Sequence, residues 1–230
     1  MPGSSPRSRM FQVAGRAMKT WNVQVGCEFN CTYCSARQLA LTRLKDSPRY
    51  REGFIPHLIP EEAGRRFKPG SFVFVGYMGD ISFAESHHIR LLLSEIAEQP
   101  KVDFLFCTKN PLMYSEHIKW PANLYLGSTI ETTHNYYLTR APSPLSRYLA
   151  MFTLTHPKKF ISIEPICDFD LETMLQWMAR IKPAIIEVGA DNYGHELPEP
   201  PWEKVELLLK GLREICPMVV EKTGLERLKK

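Results

Sequence analysis

Thr20-Trp21-Asn22-Val23-Gln24-Val25-Gly26-Cys27-Glu28-Phe29-Asn30-Cys31-Thr32-Tyr33-Cys34 is a short β-prone run that passes directly into a polar loop carrying three cysteines. The apolar residues at 20–25 predict a strand, and Gly26 marks its end. Cys27, Cys31 and Cys34 follow in a Cys-x3-Cys-x2-Cys pattern on a strand-to-helix loop. Three thiolates so spaced can converge on one metal cluster.

Outward from this stretch, β-rich runs alternate with segments of helical periodicity. Further strands are expected at 71–76, 103–107, 124–130, 160–166, 184–188 and 218–221, making seven in all. Most are continuous apolar runs, as for strands covered on both faces. Ile89, Leu92, Leu93 and Ile96 recur at i, i+3, i+4 and i+7. Leu171, Met174, Leu175 and Met178 repeat that spacing, as do Val205, Leu208, Leu209 and Leu212 after Pro200-Pro201, so three helices are expected. The alternation is that of βαβ units around a mostly parallel sheet. Six or seven such units predict an α/β fold of the open or partial (β/α)6-barrel type, because a closed eight-fold barrel takes about 250 residues. Chemistry is then expected past the C-terminal ends of the strands.

Composition sets the bounds. The chain has 230 residues, 44% hydrophobic and 23% charged, with no apolar run long enough to span a membrane. A cytoplasmic protein is expected. Residues 1–18, rich in Pro, Ser and Arg near their start, read as a disordered arm or cloning remnant, and 19–230 as a single domain. The net charge of +4 is spread along the chain. Nucleic-acid binding is permitted by it and not indicated. Cys107, Cys167 and Cys216 lie scattered in apolar surroundings and read as small hydrophobic residues. The polar stretch 46–70 reads as a lid, an insertion or a substrate-facing loop.

A [4Fe-4S] cube normally takes four thiolates, and Cys107 lies over seventy residues beyond Cys34. One iron is therefore left without a cysteine, and an open coordination position is where a ligand binds. The Cys-x3-Cys-x2-Cys pattern, with Tyr33 before its last cysteine, resembles the signature of the radical S-adenosylmethionine superfamily. The chain is also similar to a phage-associated branch of it, through Trp21-Asn22, 74–80, 104–111, 123–131, 161–165 and Glu221-Lys222, although the first two cysteines sit closer together than is usual there. Competing readings are a zinc knot, a fully ligated ferredoxin-type cluster and incidental cysteines. Zinc would want a fourth ligand nearby, and no His falls between Cys34 and His57.

The resemblance implies a [4Fe-4S] cluster on Cys27, Cys31 and Cys34, S-adenosyl-L-methionine as cosubstrate, and an external one-electron donor such as flavodoxin or ferredoxin. It implies that Tyr33 packs near the adenine. It further implies that Gly76, Gly79 and Asp80 hold the amino acid end of S-adenosylmethionine, with a helix-capping Asp80 as the alternative. Lys109, Asn110, Ser128, Glu131 and Glu164 are further candidates for cofactor contact. Glu164 stands out because a carboxylate in an apolar run must be paired, and Lys109 or Lys222 could serve. The activity implied is reductive cleavage of S-adenosylmethionine and hydrogen abstraction from a substrate that the sequence does not name; nucleic acid is possible. The alternative is a nucleic-acid-binding module with a structural Fe-S or zinc site; for an enzyme acting on nucleic acid, Tyr136, Tyr137 and Tyr148 could stack on bases or simply be core.

Overall fold

The computed structural model describes residues 12–13, 16–115 and 119–229. Of the expected arm at 1–18, residues 1–11, 14 and 15 lie outside them. Strand pairing begins inside the segment set apart by composition. β1 (Gln12–Val13) pairs antiparallel with β2 (Arg16–Trp21), at one edge of the main sheet.

The run 20–25 does not form one strand. β2 ends at Trp21, whose carbonyl accepts the Gly76 amide at 2.8 Å, and the chain turns out of the sheet. β3 (Gln24–Val25) instead pairs antiparallel with β4 (His57–Leu58) in a separate two-stranded sheet. Helix α1 (Ser35–Leu41) follows the cysteine loop, with Cys34 as its N-cap.

The other six strands are β5 (Phe72–Val75), β6 (Asp103–Thr108), β7 (Leu124–Thr129), β8 (Lys159–Ile163), β9 (Ile185–Val188) and β10 (Val219–Glu221). With β2 they run parallel in the order β2-β5-β6-β7-β8-β9-β10. The result is a curled half-barrel, as the repeat count predicts. The crossovers are α2 (Ser86–Ala97), a 3-10 turn at Pro111–Ser115, α3 (Pro144–Thr153), α4 (Leu171–Ile181) and α5 (Trp202–Ile215). α2 and α5 bury the very apolar rows that predicted them, whereas α4 buries Met174, Trp177, Met178 and Ile181 and leaves Leu171 and Leu175 half-buried. Asp170 caps α4 by accepting the Thr173 amide at 2.8 Å.

The main core lies between these helices and the convex face of the sheet, with Phe104, Phe106, Leu126 and Ile161 fully buried. A smaller core of Phe72, Leu105, Phe160 and Ile185, joined by Met18, Phe74 and Cys107, fills the concave face. A third, of Val25, Ala40, Tyr50, Phe54, Ile59 and Met78, lies behind the cysteine loop. The stretch 46–70 is thus no free lid; its apolar residues brace that loop. Tyr148 is core, stacked on Trp177 at 4.7 Å, whereas Tyr137 is 85% exposed.

Candidate functional site

The cysteine loop is held from three sides. Gly26, with φ of +79°, donates its amide to Met78 O at 3.0 Å, and its carbonyl accepts the Asp80 amide at 3.1 Å. Behind it, the Cys27 amide donates to Phe54 O at 3.1 Å. In front, Thr32 N donates to Leu138 O at 2.9 Å and Arg140 N to Phe29 O at 2.7 Å. Gly79 is required by packing: a Cβ there would come within 2.6 Å of Gly26 O. Its absence of side chain lets two backbones meet, which is a reason for glycine separate from ligand approach.

Cys27, Cys31 and Cys34 are free thiols opening onto one cavity of about 250 Å³ at the C-terminal ends of the strands. Cys27 Sγ accepts the Phe29 amide at 3.4 Å, and Cys34 Sγ the Arg37 amide at 3.3 Å. Cys31 Sγ donates to Thr139 Oγ1 at 3.1 Å. Burial, then Asp80 and the other two cysteines, push the Cys27 thiol far up; burial also raises Cys34. Such thiols ionise when a cation sits among them. The donor set fits an iron-sulfur cluster: three soft ligands, amide N–H groups on two sulfurs, and an open cavity beside them. Among the described residues, the one trio of His, Cys, Asp or Glu ligand atoms within 4.8 Å of one another is Glu85, His87 and His88. At least one pair of the three sulfurs therefore lies farther apart than the edge of a zinc tetrahedron, about 3.8 Å from Zn–S bonds of about 2.3 Å.

Of the other residues singled out by sequence, Tyr33, Gly79, Asp80, Lys109 and Glu164 line the same cavity; Gly76, Asn110, Ser128 and Glu131 do not. Asp80 is the cap that its alternative reading required. Its Oδ1 accepts Ser82 N (2.9 Å) and Thr108 Oγ1 (2.6 Å), and its Oδ2 accepts Lys109 N at 3.0 Å. Ser128 is fully buried, donating to Thr108 O at 3.0 Å. The neighbouring Thr129 faces the cavity instead, because alternate residues of a strand point to opposite faces.

Glu131 sits behind the cavity wall. It accepts Arg147 at 2.6 and 3.1 Å, Lys109 Nζ at 3.1 Å and Tyr33 Oη at 2.9 Å. Burial alone would raise its pKa, but Lys109 and Arg147 outweigh that and hold the carboxyl far below the usual range. One carboxylate thereby fixes both Tyr33 and Lys109, whose ammonium lies 5.2 Å from the Tyr33 ring centre.

The opposite half of the sheet supplies a second polar group. Lys222 pairs with Glu164 and, at 3.3 Å, with Glu187 Oε1, which also accepts Ser162 Oγ at 3.0 Å. Of the two partners that sequence offered Glu164, Lys222 is the one it takes. Sequence reasoning missed Arg147, Thr108, Ser162, Asp191 and the cavity position of Cys107. The signal for several was present: each lies at the end of an expected strand, at an inward-facing position.

A family model described as "Protein of unknown function (DUF5131)" matches residues 15–191, more than half of the chain. The chain belongs to this family. No curated protein matches the sequence. Among solved structures, the DUF5131 chain is similar in fold to spore photoproduct lyase complexed with dinucleoside spore photoproduct, at 10% identity and a TM-score of 0.60, covering 87% of this chain and 75% of that one. A tyrosine-to-phenylalanine mutant of the lyase gives 12% identity with the same score and coverage. A cysteine-to-alanine mutant with the dinucleoside gives 10% and 0.55, covering 85% of this chain and 61% of that one. Among the described residues, no helix is long and apolar enough to cross a membrane.

Proposed function

We propose that this DUF5131 protein is a radical S-adenosylmethionine enzyme, with Cys27, Cys31 and Cys34 as the protein ligands of a [4Fe-4S] cluster and 19–230 as one catalytic domain working in the cytoplasm. The observation that carries this reading is the opening of all three motif cysteines onto a single cavity at the strand ends of a partial parallel barrel. The likeness in fold to spore photoproduct lyase, itself a radical S-adenosylmethionine enzyme, supports it.

With cluster and S-adenosylmethionine bound, the chemistry supplied would be a 5'-deoxyadenosyl radical for hydrogen abstraction. The chain's own residues bind, orient and exclude water. Tyr33, Phe29 and Phe54 give apolar wall beside the cysteines. Lys109, held by Glu131, offers a cation suited to the carboxylate of S-adenosylmethionine. Asp80 fixes the Thr108-Lys109 turn and keeps Oδ2 with a single protein donor, able to take the amino group as a second. An external one-electron donor, a flavodoxin or ferredoxin, would reduce the cluster.

The test is anaerobic reconstitution with iron and sulfide, then dithionite and S-adenosylmethionine. Brown protein with about four irons per chain, forming 5'-deoxyadenosine, is the expected result. A colourless protein holding one zinc and forming no 5'-deoxyadenosine would replace this reading with a structural staple in a binding module.

A further inference from the structure

The concave face of the half-barrel changes character across the sheet. On the side of the cysteine loop the cavity is floored by Met18, Phe74 and Cys107; on the far side by Ser162, Glu164, Glu187 and Lys222. These four converge from β8 and the residue after it, β9 and the segment after β10. Two carboxylates face a single ammonium, leaving one negative charge. Glu164 Oε2 and Glu187 Oε1 take the Lys222 contacts, while Glu164 Oε1 and Glu187 Oε2 accept no hydrogen bond among the described residues. Glu187 is only 6% exposed, and it lines the cavity.

Carboxylate oxygens that line a cavity and take no protein donor are free to accept from a ligand's N–H groups. The position is built: a Cβ on residue 189 would come within 2.6 Å of Glu164 Oε1, so Gly189 is what admits that side chain. Lys222 is itself enclosed and keeps the two carboxylates side by side.

From this we infer that Glu164 and Glu187 form a subsite for a cationic, hydrogen-bond-donating group of the substrate, an amine or guanidinium, held at the end of the cavity opposite the cysteines. As a substrate subsite it rests on the radical-enzyme reading; as a cation site it does not. One unit of net negative charge favours a cation over a neutral donor and opposes a phosphodiester at this spot. The dinucleoside bound by the lyase of similar fold therefore gives no guide to what reaches this floor.

The experiment titrates the full-length, cluster-free chain by calorimetry with butylguanidinium, with butylurea, its neutral isostere, and with dithymidine monophosphate. Saturable binding of butylguanidinium is expected, at least tenfold tighter than either other probe, and weakened at least tenfold by Glu187→Gln. Circular dichroism checks that variant's fold. If it is unfolded, Glu164→Gln at the cavity rim carries the same test. Equal binding of butylurea, preference for the dinucleotide, or affinity unchanged in the folded variant would overturn the inference. In the reconstituted protein, butylguanidinium and S-adenosylmethionine should bind together; mutual displacement would return both glutamates to the cofactor. Because the first titration needs no cluster, its result stands apart from whether 5'-deoxyadenosine forms.

Discussion

Arg147 and Glu131 form a two-pronged ion pair with no exposure of the arginine side chain, Nη1 lying 2.6 Å from Oε2 and Nη2 3.1 Å from Oε1. The same Nη1 donates to Thr129 O at 2.6 Å, so α3 is pinned to the end of β7 beside the cavity. The pair sets Tyr33 and Lys109 from behind without touching what the cavity holds.

Removing one partner of a buried pair leaves an uncompensated charge, which costs about 3–5 kcal/mol. Arg147→Met should lose that much in urea unfolding, and Arg147→Lys should recover little, since an ammonium cannot span both oxygens. A loss under about 1 kcal/mol would mean that the pair behaves as a surface one.

The same carboxylate gives a pH signature. Its folded pKa is depressed, Lys109 and Arg147 outweighing burial, so its stabilisation is present above the unfolded value of about 4.3 and fades as pH falls below that toward the folded pKa. Wild type should exceed Glu131→Gln in stability at pH 7, with the gap narrowing steadily as pH falls below about 4. Urea midpoints across this range measure it; a gap independent of pH would assign the effect to packing.

The helix holding Arg147 shows why part of the site was illegible in sequence. α3 buries Pro144, Arg147, Tyr148 and Met151, a perfect i, i+3, i+4, i+7 face with a cation in it, while Leu145, Leu149 and Phe152 are exposed. Polarity there points the wrong way for a periodicity reading. By contrast α2, α4 and α5, each with an unbroken apolar row, were legible, as were six of the seven parallel strands. The first strand misled because β2 begins in Arg16-Ala17-Met18-Lys19, which carries two cations, and Gln24-Val25 belong to a neighbouring ribbon whose partner lies over thirty residues away. The cysteines could be read because their spacing is local. The partners of Glu131 and Glu164 could not be fixed, because each pairing closes a loop across different strands.

Gly26 makes a direct test of how the cysteine loop is built. Its φ of +79° is costly for other residues, and a Cβ there would lie 2.1 Å from Ile55 O. Gly26→Ala should destabilise the chain by about 1–3 kcal/mol and lower iron content after reconstitution. Gly64→Ala, where nothing lies within 4 Å of the new Cβ, should leave iron content unchanged. Equal iron in both variants would separate loop geometry from cluster binding.

The six cysteines should divide cleanly. Ala at 27, 31 or 34 is expected to abolish both the iron-sulfur absorbance and 5'-deoxyadenosine formation, whereas Ala at 167 or 216, both buried away from the loop, should keep the absorbance at a modest cost in stability. Cys107 is the sharper control, since it lines the cavity yet comes from β6. Cluster retained in Cys107→Ala keeps the ligand set at three; cluster lost there would add a fourth thiolate and close the coordination position that the reading needs.

Lys222→Met should show the opposite pH sense to Glu131. Burial raises Glu164, with Glu187 adding to the rise and only Lys222 countering it. Lys222 is in turn raised well above the ordinary value, the two carboxylates outweighing burial. Without the ammonium, Glu164 would take up a proton in the folded state at a pKa above the unfolded one. A group raised in this way stabilises the fold below its unfolded pKa and loses that contribution as pH rises through the folded one. The variant should therefore be about 3–5 kcal/mol less stable than wild type at pH 8, with the deficit shrinking toward pH 5. Chemical unfolding at the two pH values decides it: a deficit equal at both would mean that Lys222 acts through packing of its stem and not through its charge.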